Sequence, residues 1–139
     1  MSLPLSSLST LEKVEKISQA FYTSSLLFMP AWWLSDNFLD QSAAEDREIA
    51  LCNVLGVLCG CLFAVTTWAR TIKGAATEEK RNLDYVAAGC WGTCGLLTLS
   101  QAAQYKADKL MVNLGLQLGI GAAFVYQGLN RKDGGEKEE

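Results

Sequence analysis

The sequence predicts an all-α fold: an integral membrane four-helix bundle with its N and C termini on the same side, cytoplasmic or matrix. Three observations carry this expectation. The charged residues are segregated, the basic residues are shared unequally between alternate loops, and the aromatic residues gather at the ends of the apolar stretches.

No Asp, Glu, Lys or Arg occurs in 17–35, 49–69, 85–105 or 110–130, one run of 19 residues and three of 21. An α-helix rises about 1.5 Å per residue, so roughly 20 apolar residues cross a hydrocarbon core about 30 Å thick. A soluble bundle would carry charges on the outer face of each helix at the 3.6-residue period, and here every face lacks them for about five turns. The 139 residues therefore read as a single membrane domain. Its four spans are joined by an acidic loop over 36–48, a basic loop over 70–84 and a tight turn, and they end in a charged tail over 131–139.

Counting Lys and Arg by loop gives the orientation. Lys13, Lys16, Arg70, Lys73, Lys80, Arg81, Arg131, Lys132 and Lys137 fall on the side of the termini, against Arg47, Lys106 and Lys109 on the other. Basic residues are retained inside, which places both termini there. Tyr22, Trp68, Tyr85 and Tyr126 lie at the inner ends of the spans, and Trp32, Trp33 and Tyr105 at the outer ends, as an interfacial aromatic belt requires.

The element ends follow in order. Ser9-Thr10-Leu11-Glu12 is a capping box that opens a short amphipathic helix, with Leu11, Val14, Ile17 and Phe21 on one face, running into the first span. Pro30 predicts a kink near 26–30. Ser42 to Glu45 forms a second capping box, Thr77 with Glu78 and Glu79 opens the third span, and Asp108 caps the fourth. Gly128 and the Asp133-Gly134-Gly135 run are expected to end it. The N-terminal stretch has neither the basic start and apolar core of a signal peptide nor the composition of a transit peptide. On that reading no leader is removed.

Inside a bilayer, helices associate through close packing and hydrogen bonds rather than hydrophobic burial. Three small-residue stripes are expected to do the packing: Gly56 and Gly60 in the second span, Ala88 and Gly92 in the third, and Gly115, Gly119 and Ala123 in the fourth. Asn113, Gln117 and Gln127 give the fourth span an amide face, with Asn53, Gln101 and Gln104 as expected partners. Cys52, Cys59, Cys61, Cys90 and Cys94 all fall within spans and read as small packing residues.

The chain has no histidine, which removes the commonest metal ligand and general base. No ionisable side chain lies inside a span, which weighs against a pump or a proton-coupled carrier. A net charge of −3 without a basic stripe gives no footprint for nucleic acid. No catalytic constellation, cofactor site or metal site is expected, though bound lipids are. The expected role is a non-catalytic accessory subunit of a larger membrane complex, of the respiratory type found in the mitochondrial inner membrane, contacting other membrane subunits through its small-residue faces. The alternatives are a small oligomeric channel for a neutral solute, prompted by the amide face, and a scaffold or trafficking protein of the endomembrane system.

Overall fold

A computed structural model describes residues 8–38, 46–71 and 77–131, and among these residues the fold is all-helical. The order is α1 (Thr10–Phe28), α2 (Pro30–Asn37), α3 (Asp46–Thr71), α4 (Thr77–Ser100), a 3₁₀ turn (Ala102–Gln104) and α5 (Ala107–Asn130). Two of the helices, α3 and α5, are long and apolar enough to cross a membrane.

Local chemistry explains the boundaries. Ser9 caps α1: its hydroxyl accepts from Glu12 N at 3.3 Å, and its own N–H donates to the Glu12 carboxylate at 2.7 Å. The first apolar stretch is divided rather than kinked. Pro30 sits at the first position of α2, where its missing N–H costs nothing, and Met29 leaves helical geometry at φ −138° and ψ 48°. Main-chain bonds from Met29 to Ser25 and from Trp33 to Met29 run across the break.

The third stretch also ends early, because α4 stops at Ser100 and the chain turns through the 3₁₀ segment. Lys106 precedes α5 without a side-chain cap, so Asp108 contributes only its charge to the first turn. Gly128 does not stop α5. It lies two residues inside the helix, buried against Tyr85. The 42–45 capping box and the 133–135 run fall outside the described residues.

The helices form two antiparallel pairs. One is the α4–α5 hairpin, and the other is α1 packed along α3, with Lys16 beside Thr66 and Thr23 beside Gly60. Here α2 lies against α3 and α5, while α3 and α4 barely touch. At the far end Phe38 and Tyr105 pair through an isolated bridge, their rings 4.3 Å apart.

The radial distribution of polarity is inverted. The buried side chains include Glu12, Glu15, Lys16, Asn37, Arg70, Asp84, Asn113 and Gln117, while Leu51, Val57, Leu58, Leu62, Val65, Leu97 and Val112 are more than half exposed. The α1 stripe shows this most clearly: Val14, Ile17 and Phe21 face outward, and the polar face of α1 is the buried one. Among the described residues the buried apolar side chains, Leu8 aside, fall in two small clusters. Ala87, Ala88, Trp91, Ile120 and Phe124 form one, and Leu26, Trp33 and Cys52 the other.

Candidate functional site

The most elaborate chemistry is a buried ion network at one end of the bundle. Glu12 lies in the first turn of α1 and Arg70 in the last turn of α3. Asp84 lies two turns into α4, and Arg131 directly follows α5. Alternating helix direction brings these four positions to one end. Glu12 in the first turn of α1, Arg70 in the last turn of α3 and Arg131 at the end of α5 also meet the favourable ends of their helix dipoles.

Asp84 is fully buried and accepts from four groups. Arg70 Nη1 lies at 2.8 Å, Gln127 Nε2 at 3.1 Å and Arg131 Nη2 at 3.3 Å from Oδ1, and Arg131 Nε donates to Oδ2. Glu12 Oε1 accepts from Arg70 Nη1 at 2.8 Å and Arg131 Nη2 at 3.1 Å. The Arg70 guanidinium stacks 4.9 Å from the centre of the Phe124 ring, which closes the network toward the middle of the bundle.

Glu15 and Lys16 extend the network along α1. Lys16 Nζ donates to Thr66 Oγ1 at 2.6 Å and Gln19 Oε1 at 3.0 Å, and lies 3.5 Å from Glu15. Glu15 Oε2 and Arg70 Nε face each other at 3.7 Å, and neither atom makes a hydrogen bond among the described residues. Burial lowers the pKa of Lys16 below the usual lysine value of 10.5, with Glu15 pulling it partly back. Three carboxylates thus face three cations. The arrangement is charge-balanced, and almost every polar atom in it is committed to a neighbour. Its chemistry suits holding helices together rather than attacking a substrate.

A second polar cluster lies toward the other end. Tyr22 OH donates to Asn113 Oδ1 at 2.8 Å, and Asn113 Nδ2 donates to Asn37 Oδ1 at 2.9 Å. Tyr22 packs edge-on against Trp33 at 5.3 Å and lies 6.1 Å from Trp91. Lys109 pairs with Asp36 at 2.7 Å, and Lys106 Nζ donates to Ser35 O at 2.6 Å. The apolar layer of Ala87, Ala88, Trp91, Ile120 and Phe124 separates the two clusters along α4 and α5.

The structure redistributes the residues singled out from sequence. Asn113 and Gln117 are buried, but their expected partners are not used. Gln101 and Gln104 are exposed on the turn, and Asn53 Oδ1 is buried on α3 without a partner. Tyr22 and Asn37 take their place because α1 and α2, rather than α3, face this side of α5. Gln117 Oε1 also lacks a hydrogen bond among the described residues. Tyr22 and Trp33 turn into the bundle instead of joining an aromatic belt, whereas Trp68 and Tyr126 are exposed.

Gly56 and Gly60 do pack within the chain: an added Cβ would lie 2.7 Å from Leu27 Cγ and 3.3 Å from Thr23 Cγ2 respectively. Ala88 is buried. An added Cβ at Gly92, Gly115 or Gly119 would meet nothing within 4 Å among the described residues, and Ala123 is half-buried. The close α4–α5 approach uses the backbone of the expected Ala88 and Gly92 stripe on α4, but on α5 it uses Gly121 in place of Gly115 and Gly119. A Cβ at Gly121 would lie 3.3 Å from Gly92 N and 3.4 Å from Ala88 O, Gly95 packs on Leu118, and Gly128 packs on Tyr85. Of the five free cysteines, Cys61, Cys90 and Cys94 face outward rather than packing inside.

Sequence reading missed the ion network, although its boundaries were visible. Lys16, Arg70, Asp84 and Arg131 are the residues that end the four charge-free runs on one side. Their mixed signs were the available signal, since a solvated basic flank has no need of an aspartate facing two arginines. Comparison with known protein families, with curated proteins and with solved structures finds no match to this chain.

Proposed function

We propose that the chain is a membrane-spanning four-helix bundle that serves as a non-catalytic, structural subunit of a larger membrane assembly. In this reading α1 and α2 together make one broken crossing, α3, α4 and α5 make the others, and both termini lie on the side of the ion network. The observation that carries the reading is the inverted polarity: charged and amide side chains inside, and many large apolar side chains exposed on the outside. In water such a surface would be an aggregation site. In lipid it is the expected exterior, and buried polar contacts then supply the association that apolar burial cannot.

The uncovered face of α5 supports the subunit role. Gly115, Gly119 and the exposed Ala122 lie on the side of the helix away from the rest of the bundle, where a neighbouring helix could approach closely. Placement in a mitochondrial inner membrane belongs to the same proposal, and its motive is the small size, the four short spans and the minimal loops. The conduit reading has less support, because the apolar layer around Phe124 interrupts any polar path between the two clusters among the described residues. The test is gentle solubilisation of the native membrane, a native gel, and mass spectrometry of the band that holds this chain. A stoichiometric assembly many times the chain's 15.1 kDa supports the proposal, and migration alone or as a small homo-oligomer overturns it.

A further inference from the structure

We propose that the groove between the start of α1 and the end of α5 binds one phospholipid with a zwitterionic, hydrogen-bond-donating headgroup of the phosphoethanolamine type. This inference rests on the membrane reading above. An open cavity of about 400 Å³ lies here, lined by Leu11, Ala123, Tyr126, Gln127, Asn130 and Arg131. Its apolar walls are Leu11, Ala123 and Tyr126, and its polar groups gather at the end where the charge-free run of α5 stops. An acyl chain lying against Leu11, Ala123 and Tyr126 would place its headgroup at Arg131, at the depth of the membrane interface.

Charge selects the headgroup. Arg131 is the more accessible arginine of the network, with 21% of its side chain exposed. Its Nε and Nη2 are held by Asp84 and Glu12, and Nη1 makes no hydrogen bond among the described residues, leaving one edge for a phosphate oxygen. Glu12 and Asp84 stand directly behind it, and the network is neutral as a whole, so no field favours a net anion. Asn130 spends its amide N–H on Tyr126 O at 2.8 Å, which leaves its oxygen as an acceptor. Gln127 Oε1 accepts from Ser9 Oγ at 3.2 Å and keeps a second lone pair. Two amide oxygens beside a guanidinium suit an ammonium next to a phosphate. A choline headgroup cannot donate to them, and a glycerol headgroup brings an uncompensated negative charge.

The test is native mass spectrometry of the full chain, purified in mild detergent and offered phosphatidylethanolamine, phosphatidylcholine and phosphatidylglycerol in equal amounts. One additional hydrogen bond of about 1.4 kcal/mol predicts roughly tenfold preferential retention of phosphatidylethanolamine. Ala123→Trp fills the groove and should abolish retention, with the unfolding midpoint measured alongside to show that the ion network still forms. Asn130→Leu, at an exposed position, should lower phosphatidylethanolamine to the phosphatidylcholine level with the lipid still bound. Equal retention of all three, preference for phosphatidylglycerol, no retained lipid, or indifference to both variants overturns the proposal. Alkaline carbonate extraction of the same membranes separates this failure from the wider one: release of the chain sinks the membrane reading, whereas a chain that stays in the membrane without lipid preference sinks only the lipid site.

Discussion

Arg70 and Asp84 meet at 2.8 Å between α3 and α4, two helices that otherwise scarcely touch. The same guanidinium nitrogen lies 2.8 Å from Glu12, so one side chain ties α1, α3 and α4 together, and Arg131 repeats the link from α5. Removing one partner of a buried ion pair strands the others, at a typical cost of about 3–5 kcal/mol. Arg70→Gln should therefore lower the unfolding midpoint in detergent severely. Arg70→Lys, which keeps the charge but loses the fork, should fall between it and the wild type. Equal stability of all three proteins would remove the network from the account of how the two helix pairs are held.

Asn113 joins α5 to both α1 and α2 through Tyr22 and Asn37. Hydrogen bonds between membrane helices contribute about 0.5–2 kcal/mol each. Asn113→Leu, alone or with Gln117→Leu, should cost on the order of 1–3 kcal/mol on that scale and leave membrane insertion intact. Solute flux in liposomes that disappears in the double variant would instead favour the conduit.

The glycines divide into two groups with opposite expected phenotypes. Gly121 meets the α4 backbone, so Gly121→Leu must force α4 and α5 apart and should destabilise the isolated chain. Gly115→Leu and Gly119→Leu enter open space, so the isolated chain should unfold at the wild-type midpoint while its recovery in the larger assembly falls. Co-purification yield and the unfolding midpoint, measured together, check both halves.

Lys16 gives a pH dependence whose sign follows from burial. Its folded pKa lies below the unfolded value of 10.5, so between the two the unfolded chain binds more protons and stability rises with pH. The contribution is complete above 10.5 and is lost as pH falls through the folded pKa. Lys16→Met, which removes the titrating amine, should flatten the alkaline part of a stability profile relative to wild type. A profile with the same slope in both proteins would contradict the assignment.

Helix content and the rough positions of the elements were legible in the sequence because charge segregation and capping are local. Ser9 with Glu12 marks the start of α1 as clearly in the sequence as in the structure. The direction each helix faces was not legible. The Leu11, Val14, Ile17 and Phe21 stripe marks one apolar face without saying which way it points, and the structure turns Val14, Ile17 and Phe21 outward and buries Glu12, Glu15 and Lys16. The glycine stripes were legible in part: Gly56, Gly60, Ala88 and Gly92 lie at close approaches within the chain, but which glycine of α5 meets a backbone depends on helix rotation, and Gly121 holds that place instead of Gly115 or Gly119. The candidate site escaped because its members are up to 119 residues apart in sequence, and each alone resembles an ordinary charged flank.

The central claim is that the apolar exterior faces lipid. It is tested most directly by photolabelling native membranes with a lipid-partitioning diazirine and mapping the modified residues by mass spectrometry. The account predicts labels on Val57, Leu58, Leu62 and Val65 of α3, on Leu97 of α4 and on Val112 of α5, with Trp91 and Phe124 untouched. Absence of label from the outward positions, or their modification by a water-soluble reagent instead, would contradict it.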